Sequence, residues 1–358
     1  MRLDELDTPA LWVDLDIMEA NLDRMARYTA AHGLALRPHI KTHKIPELAR
    51  LQLARGAIGV TSAKVTEALV MAEAGVEDLL LAYPVWGETK WARLRDLSRR
   101  AKVSVATDSE AHTLAMAGAL GPEKSRISLL IEVDLGGGRT GLAPDGHLEE
   151  HVRRIARVGI PIRGLMFYRF MVEDPANGGM AGLGEKLAGA MAAFQRAGVP
   201  LETVSGGSTP TAFFSHLVPG LTEIRPGTYI FNDCNTVDFG GASWEDCALR
   251  VRCRVVSTSV RGTAVIDGGS KTFSEAQRYL GTGFGRLVQA PGVPCARMNE
   301  EHGLLDVSAT DHRLRPGELV DVIPNHVCTT VNLHQALFGV RNGLVETVWN
   351  IAARGKLH

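Results

Sequence analysis

Short runs with the composition of β-strands alternate with amphipathic helical runs between residues 10 and 231, and this alternation limits the possible folds more than any other feature. The candidate strands are residues 10–16, 35–41, 58–63, 79–85, 103–108, 128–134, 163–169, 203–208 and 223–231. Most of these runs precede a helical pattern, and some of the helical patterns end at a glycine, as at Gly33 and Gly75. Repeated β–α units predict a parallel sheet with helical crossovers.

The number of candidate strands bears on how this sheet is arranged. A sheet that begins with residues 35–41 and ends with residues 223–231 has eight strands, which is the number in a (β/α)8 barrel. Residues 10–16 then belong elsewhere. A doubly wound open sheet is the alternative, because periodicity alone does not reveal whether a sheet closes.

The pattern changes after Trp244, where short alternating strands are separated by glycine and proline turns without a long helical run. These strands are residues 247–260, 263–270, 304–310, 318–327 and 344–352. They predict a separate β-strand domain, with which the spare N-terminal run is able to pair. The expected division is a barrel over residues 17–240 and a β-strand domain formed by residues 1–16 and 241–358.

The bulk composition favours a small-molecule partner. The formal net charge is −1, so no excess of basic side chains argues for nucleic acid or an acidic membrane. The five scattered cysteines do not resemble a disulfide framework, which is typical of a reducing cytoplasm. No signal-peptide pattern is visible at the N-terminus, and no apolar run approaches the roughly 20 residues of a membrane span.

The segment LRPHIKTHK places Lys41 at the end of the first predicted barrel strand. Chemistry in parallel barrels gathers at the carboxyl ends of the strands. One interpretation is a solvated loop lysine, which describes most lysines. The other is a partly desolvated Schiff-base lysine that attacks a carbonyl group. Position alone leaves both open.

Two glycine-rich segments also follow predicted strands. Residues 205–209, SGGST, form either a tight turn or a phosphate site in which main-chain N–H groups approach the anion. Residues 136–141, GGGRTG, lack the spacing of a dinucleotide motif and follow a middle strand. We therefore reject a Rossmann interpretation.

His326 and Cys328 are two residues apart at the end of a predicted strand, so their side chains are expected on one face. An imidazole and a thiolate together suit a divalent metal such as Zn²⁺. The alternative is a buried structural cysteine beside a hydrogen-bonded histidine, which is the usual case for an isolated pair.

Seven segments together resemble the family of D-threonine aldolases and D-serine dehydratases, which are fold-type III pyridoxal-phosphate enzymes related to alanine racemase. In chain order they read RPHIKTHK, EVDLGGGRTG, VSGGSTP, EIRPGTYIFND, NEEHGLL, VIPNHVCTTVNL and WNIAARGK. The resemblance covers nearly the whole chain. It implies an alanine-racemase-type barrel with a C-terminal β-domain, paired as a homodimer.

The resemblance also implies roles for individual residues. Lys41 forms the Schiff base with pyridoxal 5'-phosphate, and Arg139 and Tyr168 flank the cofactor ring. The phosphate and metal positions are Ser205, Gly206, Gly207 and Ser208 with the main chain near Tyr229 for the phosphate, and His326 and Cys328 for a divalent ion (Zn, Mn or Mg). His39 and His43 support the site without reacting.

The implied activity is that of a lyase acting on D-β-hydroxy-α-amino acids. D-threonine-aldolase-like cleavage to glycine and an aldehyde is the main interpretation, and β-elimination from D-serine or 3-hydroxyaspartate to a keto acid and ammonia is the alternative. Two readings from other classes are a metal-independent racemase and a non-catalytic cofactor-binding protein. The strand-rich region after Trp244 argues against the latter.

The chain departs from the aldolase branch at two places. That branch has a His-x-Asp metal pair and a histidine after the sixth barrel strand, whereas this chain has His-x-Cys and the segment MFYRFMVED. Phe167, Phe170 and Met171 are either core residues or the wall of an apolar pocket for a larger side chain. Arg169 is a candidate to bind a second substrate carboxylate.

Overall fold

The computed structural model describes all 358 residues as two compact units. The barrel unit comprises Met25–Lys41, Pro46–Gly227 and Lys356–His358. The β unit comprises Met1–Arg24, Thr42–Ile45 and Thr228–Gly355. The short segment Thr42–Ile45 therefore belongs to the β unit although the chain on both sides of it belongs to the barrel unit.

The secondary structure consists of seventeen strands and ten α-helices, with several short 3-10 segments. The strands are β1 (Ala10–Asp14), β2 (Ala35–Leu36), β3 (Val60–Ser62), β4 (Asp78–Leu81), β5 (Lys102–Thr107), β6 (Ile127–Glu132), β7 (Ile162–Met166), β8 (Thr203–Gly206), β9 (Glu223–Ile224), β10 (Leu249–Ser257), β11 (Thr263–Ile266), β12 (Arg286–Leu287), β13 (Cys295–Met298), β14 (Gly303–Asp306), β15 (Leu319–Ile323), β16 (Ala336–Arg341) and β17 (Leu344–Asn350). The helices are α1 (Leu15–Ala31), α2 (Pro46–Ala54), α3 (Val65–Glu73), α4 (Glu88–Ser98), α5 (Glu110–Leu120), α6 (Leu148–Arg157), α7 (Met180–Arg196), α8 (Cys234–Asp238), α9 (Ser270–Phe273) and α10 (Val327–Leu333).

The barrel unit contains eight parallel strands in the order β2-β9-β8-β7-β6-β5-β4-β3. The main chain after β2 is bonded to β3, because the Ile40 N–H donates to the Thr61 carbonyl at 2.9 Å and the Thr61 N–H donates to the Pro38 carbonyl at 2.8 Å. These bonds connect the two ends of the strand order. The predicted eight-stranded parallel fold is confirmed, and the doubly wound open sheet is wrong.

Apolar side chains from neighbouring strands form the interior of the barrel unit. One buried cluster takes a single residue from each of four adjacent strands, namely Leu80, Ala106, Leu130 and Met166. Strands buried on both faces read as continuous apolar runs, which is why residues 128–134 carried no polar alternation.

The first helix has the amphipathic pattern that the sequence predicted. Met18, Leu22 and Met25 recur at helical spacing and are all buried. The helix ends at Ala31, and Gly33 follows with φ of +63°, a left-handed conformation that glycine adopts without strain.

The β unit is built on a nine-stranded sheet in which β13-β14-β11-β10-β1-β16-β17 are successive neighbours and β15 pairs with β10 and β12. The N-terminal strand β1 is antiparallel to β10 and parallel to β16. This confirms that residues 10–16 pair with the C-terminal strands rather than with the barrel. Cys247 and Cys253 are fully buried in this unit.

The helices are too short or too polar to cross a membrane. The longest of them, α1 and α7, have 17 residues each. A bilayer core requires about 20 apolar residues in one helix.

Candidate active site

Lys41 follows β2, just beyond the main-chain bridge between His39 and Thr61. Its main-chain N–H donates a 3.4 Å hydrogen bond to Nδ1 of His39, and its side chain is partly buried. The His39 N–H in turn donates to the Pro226 carbonyl at 3.0 Å. The Lys41 amine is therefore carried by main chain that is bonded on both sides at the carboxyl end of the barrel sheet.

His39 is an uncharged imidazole surrounded by cations. Burial lowers the pKa of His39 well below its usual value, and the charges of Lys41, Arg225 and Arg139 lower it further. Three cations around a neutral ring make this end of the barrel electropositive. Such a field favours an anionic ligand, for example a phosphate ester.

Arg37 connects the first barrel strand to two carboxylates on other strands. Its Nε donates to Oε2 of Glu223 at 3.0 Å, and its NH1 donates to Oδ1 of Asp78 at 2.6 Å. The Arg37 and Glu223 side chains are both nearly inaccessible to solvent. These ion pairs link the chain after β2 to the first residues of β9 and β4.

Ser205 and Arg225 extend the same hydrogen-bond network. The Ser205 hydroxyl donates to Oε1 of Glu223 at 2.5 Å and accepts a bond from Arg225. Arg225 also donates to the Phe167 carbonyl at 2.7 Å and is buried. The Ser205 hydroxyl is therefore engaged by two protein partners, and its predicted phosphate contact stays a prediction.

The segment that follows β8 has glycines for packing reasons. A Cβ on Gly206 would lie 2.2 Å from the Phe167 ring, and Gly207 has φ of +74°. Ser208 is buried and donates from its hydroxyl to the Phe170 carbonyl at 2.8 Å, at the start of the 3-10 segment Thr209–Leu217. The tight-turn interpretation of this segment is thereby supported, and its role as a phosphate site stays a prediction.

The second glycine-rich segment presents Arg139 to Tyr168. The Arg139 guanidinium lies over the Tyr168 ring, 4.7 Å from its centroid. A single carboxylate oxygen, Oδ1 of Asp134, accepts bonds from the main-chain N–H groups of Gly136, Gly137 and Gly138. Partial burial acts to raise the pKa of Asp134, but these N–H groups outweigh it and lower the pKa. The structure brings Arg139 and Tyr168 together, and their roles at a cofactor ring stay a prediction.

Two buried polar atoms at strand ends have no protein hydrogen-bond partner. They are Oγ of Ser62, at the end of β3, and Oε2 of Glu132, at the end of β6. Burial raises the pKa of Glu132, although Thr140, Arg225 and Arg139 act in the opposite direction. An unsatisfied buried polar atom costs about 1–3 kcal/mol, which a polar ligand would recover. The Lys41 amine and the cations near it fit the aldehyde and the phosphate of pyridoxal phosphate.

The predicted metal pair lies at the start of a helix rather than on a strand. Strand β15 ends at Ile323, His326 is the N-cap of α10 and Cys328 is the second residue of that helix. The argument from strand alternation was therefore wrong. The two side chains still meet, because they are hydrogen-bonded to each other.

His326 and Cys328 each have a further partner in the β unit. The Nδ1 of His326 lies 3.0 Å from Oδ2 of Asp233, and the Sγ of Cys328 lies 3.2 Å from Oγ1 of Thr42. Burial acts to lower the pKa of His326, but Cys328 and Asp233 hold it well above the usual value. No group of three or more histidine, cysteine or acidic side chains is arranged to hold a metal ion.

The remaining predicted contact, Tyr229, lies in the 3-10 segment Thr228–Ile230 of the β unit and is buried. Sequence reasoning missed several residues of these networks, among them Thr42, Glu132, Arg225 and Asp233. All four occur inside the quoted motifs RPHIKTHK, EVDLGGGRTG and EIRPGTYIFND. Their position in those motifs was the available signal, but their partners are distant in sequence.

Arg169, Phe170 and Met171 follow β7, and Arg169 lines a cavity of about 380 Å³. Phe170 and Met171 are 38% and 37% exposed, so they are not core residues, whereas Phe167 is buried. Arg169 lines the cavity together with Lys186 and donates to the Gly136 carbonyl. Its guanidinium is therefore attached to the glycine-rich segment that also carries Arg139.

Comparison with known proteins agrees with this arrangement. The alanine racemase N-terminal domain family matches residues 13–234, and a putative serine dehydratase domain matches residues 248–340. A D-threonine aldolase of an Arthrobacter species is 33% identical over 366 residues, which cover 99% of this chain and 94% of that protein. A D-threo-3-hydroxyaspartate dehydratase of a Delftia species is 32% identical over 354 residues, which cover 91% of this chain and 92% of that protein.

The solved structures give the same result. The crystal structure of D-threonine aldolase from Filomicrobium marinum has a TM-score of 0.91 at 32% identity, and the similarity covers 100% of this chain and 98% of that one. Members of this group are pyridoxal-phosphate-dependent lyases. The chain therefore belongs to the alanine-racemase-like family of pyridoxal-phosphate-dependent lyases that includes D-threonine aldolase and D-threo-3-hydroxyaspartate dehydratase.

Proposed function

We propose that this protein is a pyridoxal-phosphate- and divalent-metal-dependent lyase that cleaves D-β-hydroxy-α-amino acids to glycine and an aldehyde. The observation that carries the proposal is Lys41 at the electropositive, partly buried carboxyl end of the barrel sheet. The similarity to D-threonine aldolase over 99% of the chain supports cleavage between Cα and Cβ.

In this proposal each group of residues has a separate task. Lys41 binds the cofactor covalently, and Arg139 and Tyr168 hold its ring. The phosphate is held by Ser205, Gly206, Gly207, Ser208 and the main chain at Tyr229, and the metal is held by His326 and Cys328. When bound, the cofactor supplies an electron sink at Cα and the metal supplies a Lewis acid for the substrate hydroxyl.

The second candidate is β-elimination to a keto acid and ammonia. The His-x-Cys pair favours it, since a structure at 29% identity and TM-score 0.90 is a metal-free form of a D-threo-3-hydroxyaspartate dehydratase with one cysteine changed to alanine. In elimination the Lys41 amine takes the α-proton. In aldol cleavage a base must take the hydroxyl proton instead, so the position of the base decides the outcome.

Cofactor binding is tested with the Lys41→Ala variant. The purified protein should have the visible absorption band of the bound cofactor, and borohydride should fix the cofactor to the chain. Both should be lost in Lys41→Ala and kept in Lys102→Ala, a control at an exposed lysine that is ion-paired with Asp78. Absence of the band from the wild-type protein after addition of pyridoxal phosphate would contradict the proposal.

The reaction is tested with D-threonine, D-serine and the D-3-hydroxyaspartates, with and without a chelator. Glycine and an aldehyde, formed only when divalent metal is present, would support the aldolase. A keto acid without glycine would replace it by the dehydratase. Activity that survives complete metal removal would contradict the metal requirement in either reaction.

We also propose that the protein works as a homodimer in the cytoplasm. The charge balance and the free cysteines are consistent with a reducing compartment. Analytical ultracentrifugation of the cofactor-loaded protein should give twice the mass of the 38.6 kDa chain. A single species at the chain mass would contradict the dimer.

A further inference from the structure

The carboxylate of Asp233 is divided between two tasks in the β unit. Its Oδ1 accepts bonds from the N–H and the hydroxyl of Thr236, at 2.8 and 2.7 Å, and so caps α8. Its Oδ2 lies 3.0 Å from both Nδ1 of His326 and the N–H of Val327. Asp233 is fully buried, so these four donors take up the whole carboxylate.

The Oδ2 contact determines which ring nitrogen of His326 carries the proton. A carboxylate oxygen only accepts, so Nδ1 of His326 must donate to it. When the ring is neutral, its lone pair is on Nε2, at the opposite edge. The His326 side chain is 36% exposed, whereas that of Asp233 is not exposed at all.

The thiol of Cys328 is held in a similar way by Thr42. The two side chains are 3.2 Å apart, and Thr42 is fully buried. Either group can be the donor, and in both cases the contact with the buried Thr42 side chain holds Sγ in one direction. Asp233 also fixes the main chain between the two residues through the Val327 N–H.

We propose that Asp233 and Thr42 are positioning residues for the metal pair. Asp233 sets the tautomer of His326 so that Nε2 is available as a ligand, and Thr42 directs the sulfur of Cys328 to the same ion. The inference rests on the proposed metal role of His326 and Cys328. Neither Asp233 nor Thr42 touches the metal or the substrate in this scheme.

The test is metal binding by the cofactor-loaded protein. Co²⁺ and Zn²⁺ are titrated into the metal-depleted wild type and variants, with affinity from calorimetry and the cobalt–thiolate absorption as the spectral readout. Asp233→Asn keeps the size and capping ability of the residue but replaces one acceptor by a donor. It should weaken binding by about 10- to 100-fold, the usual effect of losing such a partner.

Matched variants separate positioning from general damage. Asp246→Asn removes another capping carboxylate of the β unit, one that accepts bonds from Ser243 and Arg24, and should bind metal like the wild type. Thr42→Val should weaken binding and shift the cobalt–thiolate band, and Thr42→Ser should restore both. This pair keeps the inference testable if Asp233→Asn fails to fold.

The tautomer is read directly from the ¹⁵N chemical shifts of the His326 ring in the metal-free protein, at a pH at which the ring is neutral. The wild type should carry its proton on Nδ1, and Asp233→Asn should lose this preference. Wild-type affinity and shifts in Asp233→Asn, or wild-type affinity in Thr42→Val, would overturn the inference alone. A wild-type protein that binds neither ion would overturn the proposed metal site itself, and the inference with it.

Discussion

At the residue scale, Arg37 carries more of the barrel than its place in the sequence suggests. Its guanidinium is 4% exposed and is bonded to Asp78 and Glu223, which are 41 and 186 positions away along the chain. Glu223 passes the contact on to Ser205. One buried cation thus connects the strand that leads to Lys41 with the strand that precedes the glycine-rich turn.

Replacing Arg37 by methionine should remove this connection and lower the free energy of unfolding. The change leaves the buried Glu223 carboxylate without its cation, and such a loss costs about 3–5 kcal/mol. Urea unfolding measures the effect. Arg99→Met, at the exposed ion pair with Glu123, is the control and should change the midpoint little. Equal effects of the two variants would contradict the importance of burial.

The sequence made Lys41 a candidate, because it follows a predicted barrel strand within a motif that resembles a known family, and its role stays a prediction. Asp233 was not a candidate, because an aspartate before a helix is ordinarily only a cap. Its bond to His326 spans 93 positions, and no local pattern encodes a contact of that length.

At the scale of elements, the turn after β8 depends on the packing of one aromatic ring. Phe167 follows β7 and is buried against Gly206, which is the last residue of the neighbouring strand β8. Because a Cβ at this position would overlap the ring, the approach of the two strand ends requires glycine. The small residues of the SGGST segment are needed for the sheet as well as for any ligand.

Gly206→Ala should therefore destabilise the barrel unit by about 1–3 kcal/mol, the usual cost of overpacking. Thermal or urea unfolding measures it. Combining the change with Phe167→Leu should recover part of the loss, since the smaller side chain makes room. Gly189→Ala, in the exposed interior of α7 with no atom near its Cβ, should instead stabilise by about 0.5–1 kcal/mol.

A Gly206→Ala variant as stable as the wild type would contradict this packing argument. The elements themselves were largely predictable, since each of the eight barrel strands overlaps a predicted run. The segment at His326 was not, because PNHVCTTV has the β-branched composition of a strand. Pro324 interrupts that run, and the chain then enters α10. At the start of this helix the Val327 N–H donates to Asp233.

At the scale of the whole molecule, folding keeps several histidines neutral. His112 is fully buried, accepts a bond from the Thr107 hydroxyl at Nδ1 (2.8 Å) and donates from Nε2 to the Val85 carbonyl (3.0 Å). Burial lowers the pKa of His112, and it likewise lowers the pKa of His39 and of His334. Below the pKa that these histidines have in the unfolded chain, the unfolded state binds protons that the folded state does not bind.

The folded state therefore loses stability in mild acid. The free energy of unfolding should fall as the pH drops below about 6.5, by up to about 1.4 kcal/mol per pH unit for each such histidine. His112→Gln removes one titrating group, so the stability difference between wild type and variant should shift in favour of the variant from pH 7 to pH 5. Urea titrations at several pH values measure it.

His147→Gln, at an exposed histidine, is the matched surface control. A pH-independent difference for His112→Gln would contradict the buried neutral ring.

The overall division into a parallel barrel and a strand-rich part was predictable from periodicity. The inclusion of Thr42–Ile45 in the β unit was not, since periodicity does not report contacts between distant segments.

The place of β1 has a consequence for how the protein is made. β1 lies between β10 and β16, so the first strand to leave the ribosome has partners encoded near the other end of the chain. At roughly 5–20 residues per second, translation from β1 to β16 takes on the order of 15 to 65 s. During that time the barrel strands are able to pair, while Leu11 and Val13 of β1 lack one or both of their partner strands. A nascent chain arrested before residue 249 would lack both partners of β1, and an unpaired apolar strand is a template for pairing with other chains.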